Sequence, residues 1–200
     1  MIEKIYPAQL YTFLDYANDT EIDKTVLDCG AGGRFPKFTL FSQYGYETYG
    51  IEIDKESLQK AEDFCKEYKI NAQTTKGDMR NLPYESEMFG FVYSYNTIFH
   101  MSKEDIKKSI KEMIRVLKKG GLLYLNLLSF DDSIYGVGEE ISPGMFRQNK
   151  GEYDIEHTFV GVDEGDTYFN GCEILYKQIR KEYLNDRDYI SGMIDYIVKK

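Results

Sequence analysis

The chain has 200 residues, 42% of them hydrophobic and 30% charged, with a formal net charge of -9, which is enough apolar material for one globular domain with a substantial core. The acidic balance disfavours a broad grip on nucleic acid, where phosphate contacts by Lys and Arg dominate affinity. Cys29, Cys65 and Cys172 form neither a Cys-x-x-Cys pair nor a ligand cluster, so the sequence suggests no disulfide framework and no metal site, and it fits a reduced cytoplasm. No apolar run approaches the ~20 residues that span a bilayer, and Met1 to Leu10 lacks the order of a signal peptide, so no membrane partner is expected.

In chain order, Ala8 to Asp19 reads as an amphipathic helix with Leu10, Phe13, Leu14 and Ala17 on one face. Thr25 to Asp28 is a first short strand, and Pro36 starts a helix that runs to about Tyr44. A second strand, Glu47 to Ile53, leads to Asp54 as N-cap of a helix over Lys55 to Tyr68, and Asn71 to Thr75 is a third strand. Phe89 to Ser94 is a fourth strand. Lys103 to Leu117 is a helix with Ile106, Ile110, Met113, Ile114 and Leu117 on its apolar face. Gly120-Gly121 ends that helix, and Leu122 to Leu128 reads as a strand covered on both faces.

Beyond Ser129 the rhythm changes. Five residues, Gly136, Gly138, Pro143, Gly144 and Gly151, mark Phe130 to Gly151 as a long loop or small inserted hairpin. Glu164 to Asn170 suggests a short helix. Glu173 to Leu184 and Tyr189 to Lys199, separated by Asn185-Asp186-Arg187-Asp188, predict a closing antiparallel hairpin.

The alternation of short strands and helices from Thr25 to Leu128 predicts an α/β fold around a mainly parallel sheet. Asp28-Cys29-Gly30-Ala31-Gly32-Gly33-Arg34 opens directly after the first strand, and such a glycine-rich turn brings backbone N–H groups close to a ligand. Glu52 follows near the end of the second strand, about the 20 residues downstream at which ribose-binding acids are expected, with Asp54 as a competitor. Gly77-Asp78-Met79-Arg80 offers a carboxylate to an adenine amino group and an apolar contact to its face. Tyr95-Asn96-Thr97-Ile98-Phe99-His100 follows the fourth strand, at the edge that faces the ligand crevice of such folds.

At these residues the chain resembles the class I S-adenosylmethionine-dependent methyltransferases. The resemblance rests on Val26 to Gly33, on Gly50-Ile51-Glu52-Ile53-Asp54, on Gly77-Asp78-Met79, and on Arg115-Val116-Leu117-Lys118-Lys119-Gly120-Gly121. It covers Thr25 to Leu128 closely and the final hairpin loosely. It implies a Rossmann-like fold: a central, mostly parallel seven-stranded sheet with helices on both faces and an antiparallel C-terminal hairpin. It also implies one methyltransferase domain over residues 1–200, comprising an N-terminal helical cap (1–24), a cofactor-binding core (25–128), a variable substrate-side insertion (129–172) and the hairpin (173–200).

The implied reaction moves a methyl group from S-adenosylmethionine to a small-molecule acceptor, mainly by positioning, and leaves S-adenosylhomocysteine. The implied cofactor contacts are Asp28, Gly30, Ala31, Gly32, Gly33, Arg34, Glu52, Ile53, Asp78, Met79, Tyr95 and Tyr11, with His100 as base if the nucleophile is a hydroxyl or amine. No metal is expected, and a monomer or homodimer would serve. Two positions depart from the family pattern: Arg34 stands where a third glycine is commonest, and Gly90 stands where Phe-Asp-x-Val has its acid. Two alternatives stay open. One is a non-catalytic cofactor-binding protein. The other is a nicotinamide-dependent oxidoreductase, which the missing Gly-x-Gly-x-x-Gly disfavours.

Overall fold

The computed structural model describes residues 5–151, 153–184 and 189–200. Its elements begin with α1 (Ala8–Asn18), β1 (Thr25–Cys29), α2 (Thr39–Gln43), β2 (Glu47–Glu52), α3 (Lys55–Tyr68), β3 (Ala72–Lys76) and β4 (Phe89–Ser94). A 3-10 turn, Ile98–His100, leads into α4 (Lys103–Val116) and β5 (Leu117–Ser129). Then come β6 (Glu139–Ser142), β7 (Met145–Asn149), β8 (Asp154–Val160), α5 (Val162–Asp166), a second 3-10 turn (Thr167–Phe169), β9 (Glu173–Leu184) and β10 (Tyr189–Lys199).

Seven strands in the order β3-β2-β1-β4-β5-β10-β9 form the main sheet. The first five are parallel, whereas β10 runs antiparallel to both β5 and β9, as the resemblance implies. Alternate residues of the central strands feed two cores, one on each face. Leu123, Leu125 and Leu127 of β5 pack with Ile106, Ile110 and Met113 of α4. On the opposite face, Leu122 and Tyr124 pack with Leu10, Phe13 and Leu14 of α1. Burial of both faces is why Leu122 to Leu128 reads as a continuous apolar run.

The Asp54 side chain caps α3 by accepting from the Ser57 N–H at 2.7 Å, and Ser102 caps α4 by accepting from the Asp105 N–H at 3.2 Å. Two helix boundaries differ from the sequence reading. Instead of starting at Pro36, α2 begins at Thr39. The Thr39 hydroxyl donates to the Pro36 carbonyl at 2.7 Å and the Leu40 N–H donates to Lys37, so the chain makes a tight turn before the helix. Gly120-Gly121 does not end α4. The helix stops at Val116 and the strand begins at Leu117, because the Gly120 N–H and the Gly121 carbonyl pair with the backbone of Lys200.

The region after Ser129 holds more strand than its glycines suggest. β6 and β7 form the inserted hairpin, and β8 pairs antiparallel with β7. The end of β8 also pairs with the end of β5, Leu128 beside Phe159 and Ser129 beside Val160, so the extension continues the main sheet and brings it to ten strands. The short helix expected over Glu164 to Asn170 is α5 followed by the 3-10 turn. The turn Asn185-Asp186-Arg187-Asp188 lies outside the described residues. No helix among the described residues is long and apolar enough to cross a membrane.

Candidate functional site

The loop after β1 is shaped by three glycines with separate reasons. Gly30 has φ +96°, and a Cβ there would meet the Thr97 side chain at 2.4 Å. A Cβ on Gly32 would meet Glu52 Oε2 at 2.6 Å and Ser57 Cβ at 2.7 Å. Gly33 has φ +102° with open space around it, so backbone conformation alone calls for glycine there. This accounts for the glycine lying one position earlier than the family's commonest spacing: the left-handed residue is Gly33, and Arg34 needs no such conformation.

Glu52, at the end of β2, is oriented through both carboxylate oxygens. Oε2 accepts from the Gly32 N–H at 3.0 Å and Oε1 from the Asp54 N–H at 2.9 Å. A cleft of about 610 Å³ opens beside it, at the carboxyl ends of the parallel strands. Of the residues singled out in the sequence, Gly30, Glu52, Ile53, Asp78, Met79 and His100 line this cleft together. Thr97 also lines it, on a turn set by a reciprocal amide pair. Asn96, at φ +52°, donates its N–H to Asn126 Oδ1 at 2.8 Å and accepts from Asn126 Nδ2 at 2.5 Å.

Asp28 stands behind the glycine turn and does not line the cleft. It is buried and accepts from the Tyr93 hydroxyl at 2.7 Å. Burial pushes its carboxyl up to about 7; the Tyr93 hydrogen bond and the nearby Lys37 charge oppose that rise, and the Glu52 charge adds to it. Asp78 lines the cleft with its carboxylate already engaged. Arg80 donates from Nε to both oxygens at 3.0 and 2.9 Å and from Nη2 to Oδ2 at 2.7 Å, while Nη1 reaches Asp105 at 2.8 Å. The hydrogen bonds from Arg80 hold the Asp78 carboxyl below its usual range, and any adenine amino group would share this carboxylate with Arg80.

His100 donates Nδ1–H to the Glu156 carbonyl at 2.9 Å, which ties the turn after β4 to β8. Its ring centroid lies 4.8 Å from that of His157. His157 is buried, its Nδ1 has no hydrogen-bond partner, and it does not line the cleft. Burial, then the charges of His100 and Lys150, push its imidazole down to about 4.

Besides Asp28, six expected contacts, Ala31, Gly32, Gly33, Arg34, Tyr95 and Tyr11, are not among the residues that line the cleft. Tyr95 lies nearly parallel to Tyr124 with centroids 6.5 Å apart, on the face that α1 covers. Tyr11 meets Tyr6 edge-on at 6.4 Å and is 41% exposed. Arg34 is exposed on a shallow depression with Lys60, Asp63 and Glu67 of α3, because the chain turns away from the cleft after Gly33. The sequence reading gave no role to Met101, Asp105, Ile141, Met145 or Arg147, all of which line the cleft. Met101 and Asp105 follow directly on the His100 turn, whereas pairing across the fold brings Ile141, Met145 and Arg147 there. Among the described residues no three His, Cys, Asp or Glu side chains converge as a metal site would require.

Fold and cleft together define a class: doubly wound α/β proteins that receive a ligand where the parallel strands end, beside a glycine turn and a strand-end acid. Residues 27–125 match the methyltransferase domain family. The chain is 32% identical over 101 residues to YcgJ of Bacillus subtilis, an uncharacterized methyltransferase, which covers 50% of this chain and 39% of that protein. It is 31% identical over 107 residues to norajmaline N-methyltransferase of Rauvolfia serpentina, 52% of this chain and 36% of that protein. The chain therefore spans less than half the length of these two relatives. A SAM-dependent methyltransferase of Methanosarcina mazei shares the fold, with a TM-score of 0.78 over 98% of both chains at 22% identity. Residues 27–125 thus carry a methyltransferase domain, and the chain has the fold of the class I S-adenosylmethionine-dependent methyltransferases.

The residues fit that family's cofactor. The Gly32 position leaves no room for a Cβ beside Glu52, so backbone and carboxylate form one tight cradle, and Ile53 and Met79 supply apolar contacts in the same cleft.

Proposed function

We propose that the protein transfers a methyl group from S-adenosylmethionine to a small-molecule acceptor. The observation that carries the reading is Glu52, held by the Gly32 and Asp54 amides at the rim of a cleft that continues to Ile53 and Met79. A carboxylate whose direction is fixed by two backbone donors is suited to accept hydrogen bonds from the two ribose hydroxyls, at little cost in ordering. Ile53 and Met79 would receive the base, and Gly30 permits close approach of the backbone beneath Thr97.

When bound, S-adenosylmethionine supplies an electrophilic methyl group on a sulfonium. The protein's task is then alignment, for which ~7 to 11 kcal/mol is available in well-oriented systems. For a hydroxyl or amine acceptor the reading gives His100 the proton. With Nδ1–H committed to the Glu156 carbonyl, Nε2 carries the lone pair. The acidic balance of the chain supports a small acceptor over nucleic acid. The name of the Rauvolfia relative is consistent with that size of acceptor.

The test is calorimetric titration with S-adenosylhomocysteine, followed by a search for its release from S-adenosylmethionine in the presence of small hydroxyl and amine acceptors. Binding followed by acceptor-dependent release is expected. Binding of NADH in place of S-adenosylhomocysteine would contradict the reading, and binding without release for any acceptor would favour a non-catalytic role. Replacing His100 by Gln is expected to remove one inflection from the pH–rate profile, and an unchanged profile would take His100 out of the chemistry.

A further inference from the structure

The cleft has two walls of different origin. The strand-end wall carries Glu52, Ile53 and Met79, and 57% of Ile53 is exposed, a large apolar surface left uncovered at the mouth of a cleft. Facing the same cavity are Ile141, Ser142 and Met145 from the β6–β7 hairpin. The hairpin is held through β8, with which β7 pairs from Met145 to Asn149. Arg147 of β7 donates from Nε and Nη2 to Glu156 of β8 at 3.0 and 2.8 Å, and the Glu156 carbonyl accepts from His100 at 2.9 Å. Among the described residues, none from α1, β9 or β10 lines this cavity.

Resting on the cofactor reading above, we infer that the β6–β7 hairpin is part of the cofactor site, with Ile141 and Met145 closing over the nucleobase that Ile53 and Met79 receive. The chemistry favours a nucleoside over the methyl acceptor as occupant. The cavity that the hairpin closes contains the ribose acid and the two apolar residues after β2 and β3, and the aromatic surface around Tyr95 and α1 lies elsewhere. A branched alkyl side chain and a thioether suit the broad face of a flat ring, which Ile53 leaves half covered. The hairpin would thereby exclude water from the base and slow cofactor release.

The experiment titrates adenosine and S-adenosylhomocysteine separately into the whole protein and into two variants, Ile141→Ser and Met145→Ala. Both variants are expected to bind both ligands about tenfold more weakly, by the same factor for each, because the nucleoside is what the ligands share. Ile141 is half-buried and belongs to none of the core clusters, so its variant keeps the test intact if the Met145 variant does not fold. Unchanged affinities in Ile141→Ser would overturn the inference. So would a loss confined to S-adenosylhomocysteine, which would place the hairpin at the amino-acid end. A wild-type protein that binds neither ligand would overturn the cofactor reading itself, a result distinct from either of these.

Discussion

The cradle formed within residues 25–128 and the extension formed by residues 139–160 face each other across one cleft but are held by different kinds of contact. In the cradle, position is set by backbone: Gly32 and Asp54 amides fix Glu52, and the Gly30 and Ala31 amides both donate to the Ile51 carbonyl, at 2.9 and 3.1 Å. The extension is a backbone ladder within itself, but its junction with the main sheet is two residue pairs, Leu128 with Phe159 and Ser129 with Val160, joined by side-chain bonds from His100 to the Glu156 carbonyl and from Thr158 to the Met101 carbonyl. The cradle is therefore intolerant of added atoms. The extension depends on a few replaceable contacts, which suits a wall that differs among proteins sharing the cradle.

The largest expected break is in the cradle. Gly90 stands where the family often has Asp, and the structure explains the departure: a Cβ there would lie 2.2 Å from the Asp23 carbonyl and 2.8 Å from Ile22. Gly90→Asp should destabilise the fold by about 3 kcal/mol, measured by denaturant unfolding. Wild-type stability would show that the segment before β1 moves aside freely.

The next test sets one buried group of each region against the other. Asp28 in the cradle has its folded value raised from 3.8 to about 7, so the folded protein keeps a proton that the unfolded chain has lost, and stability falls as pH rises through that window. His157 in the extension has its folded value lowered from 6.5 to about 4, so the unfolded chain holds the extra proton, and stability rises with pH across 4 to 6.5. Each slope reaches at most about 1.4 kcal/mol per pH unit, and over the shared window they oppose. Asp28→Asn should expose the rising slope and His157→Gln the falling one, in unfolding measurements from pH 4.5 to 7. Parallel pH profiles for the two variants would contradict this assignment.

The smallest effect is expected at Arg34. Because it faces α3 and not the cleft, Arg34→Ala should leave S-adenosylhomocysteine affinity within about twofold, and a larger loss would bring Arg34 back to the cofactor.

How much of this was readable in the chain follows the same division. The Asp54 cap, the α4 stripe at Ile106, Ile110 and Met113, and the spacing from Gly32 to Glu52 are local or periodic signals, and each has its counterpart in the structure. Local spacing does not give the direction of a long side chain, so Arg34 and Tyr95 fall in the right loops yet point away from the cleft. It also does not reveal pairing between distant segments. β8 joins β5 across some 30 residues of chain, and β5 gains its early start from Lys200, at the far end of the chain. Ile141 and Met145 carry no motif, and their place on the cleft follows from those long-range pairings alone.

The most direct test of the cofactor reading compares the wild-type protein with Glu52→Ala in calorimetric titrations with S-adenosylhomocysteine at pH 7. Binding to the wild type is expected, with a loss of about 1 to 3 kcal/mol in a folded variant, roughly five- to 150-fold in affinity. Equal affinity in the two proteins, or no binding to either, would contradict that reading.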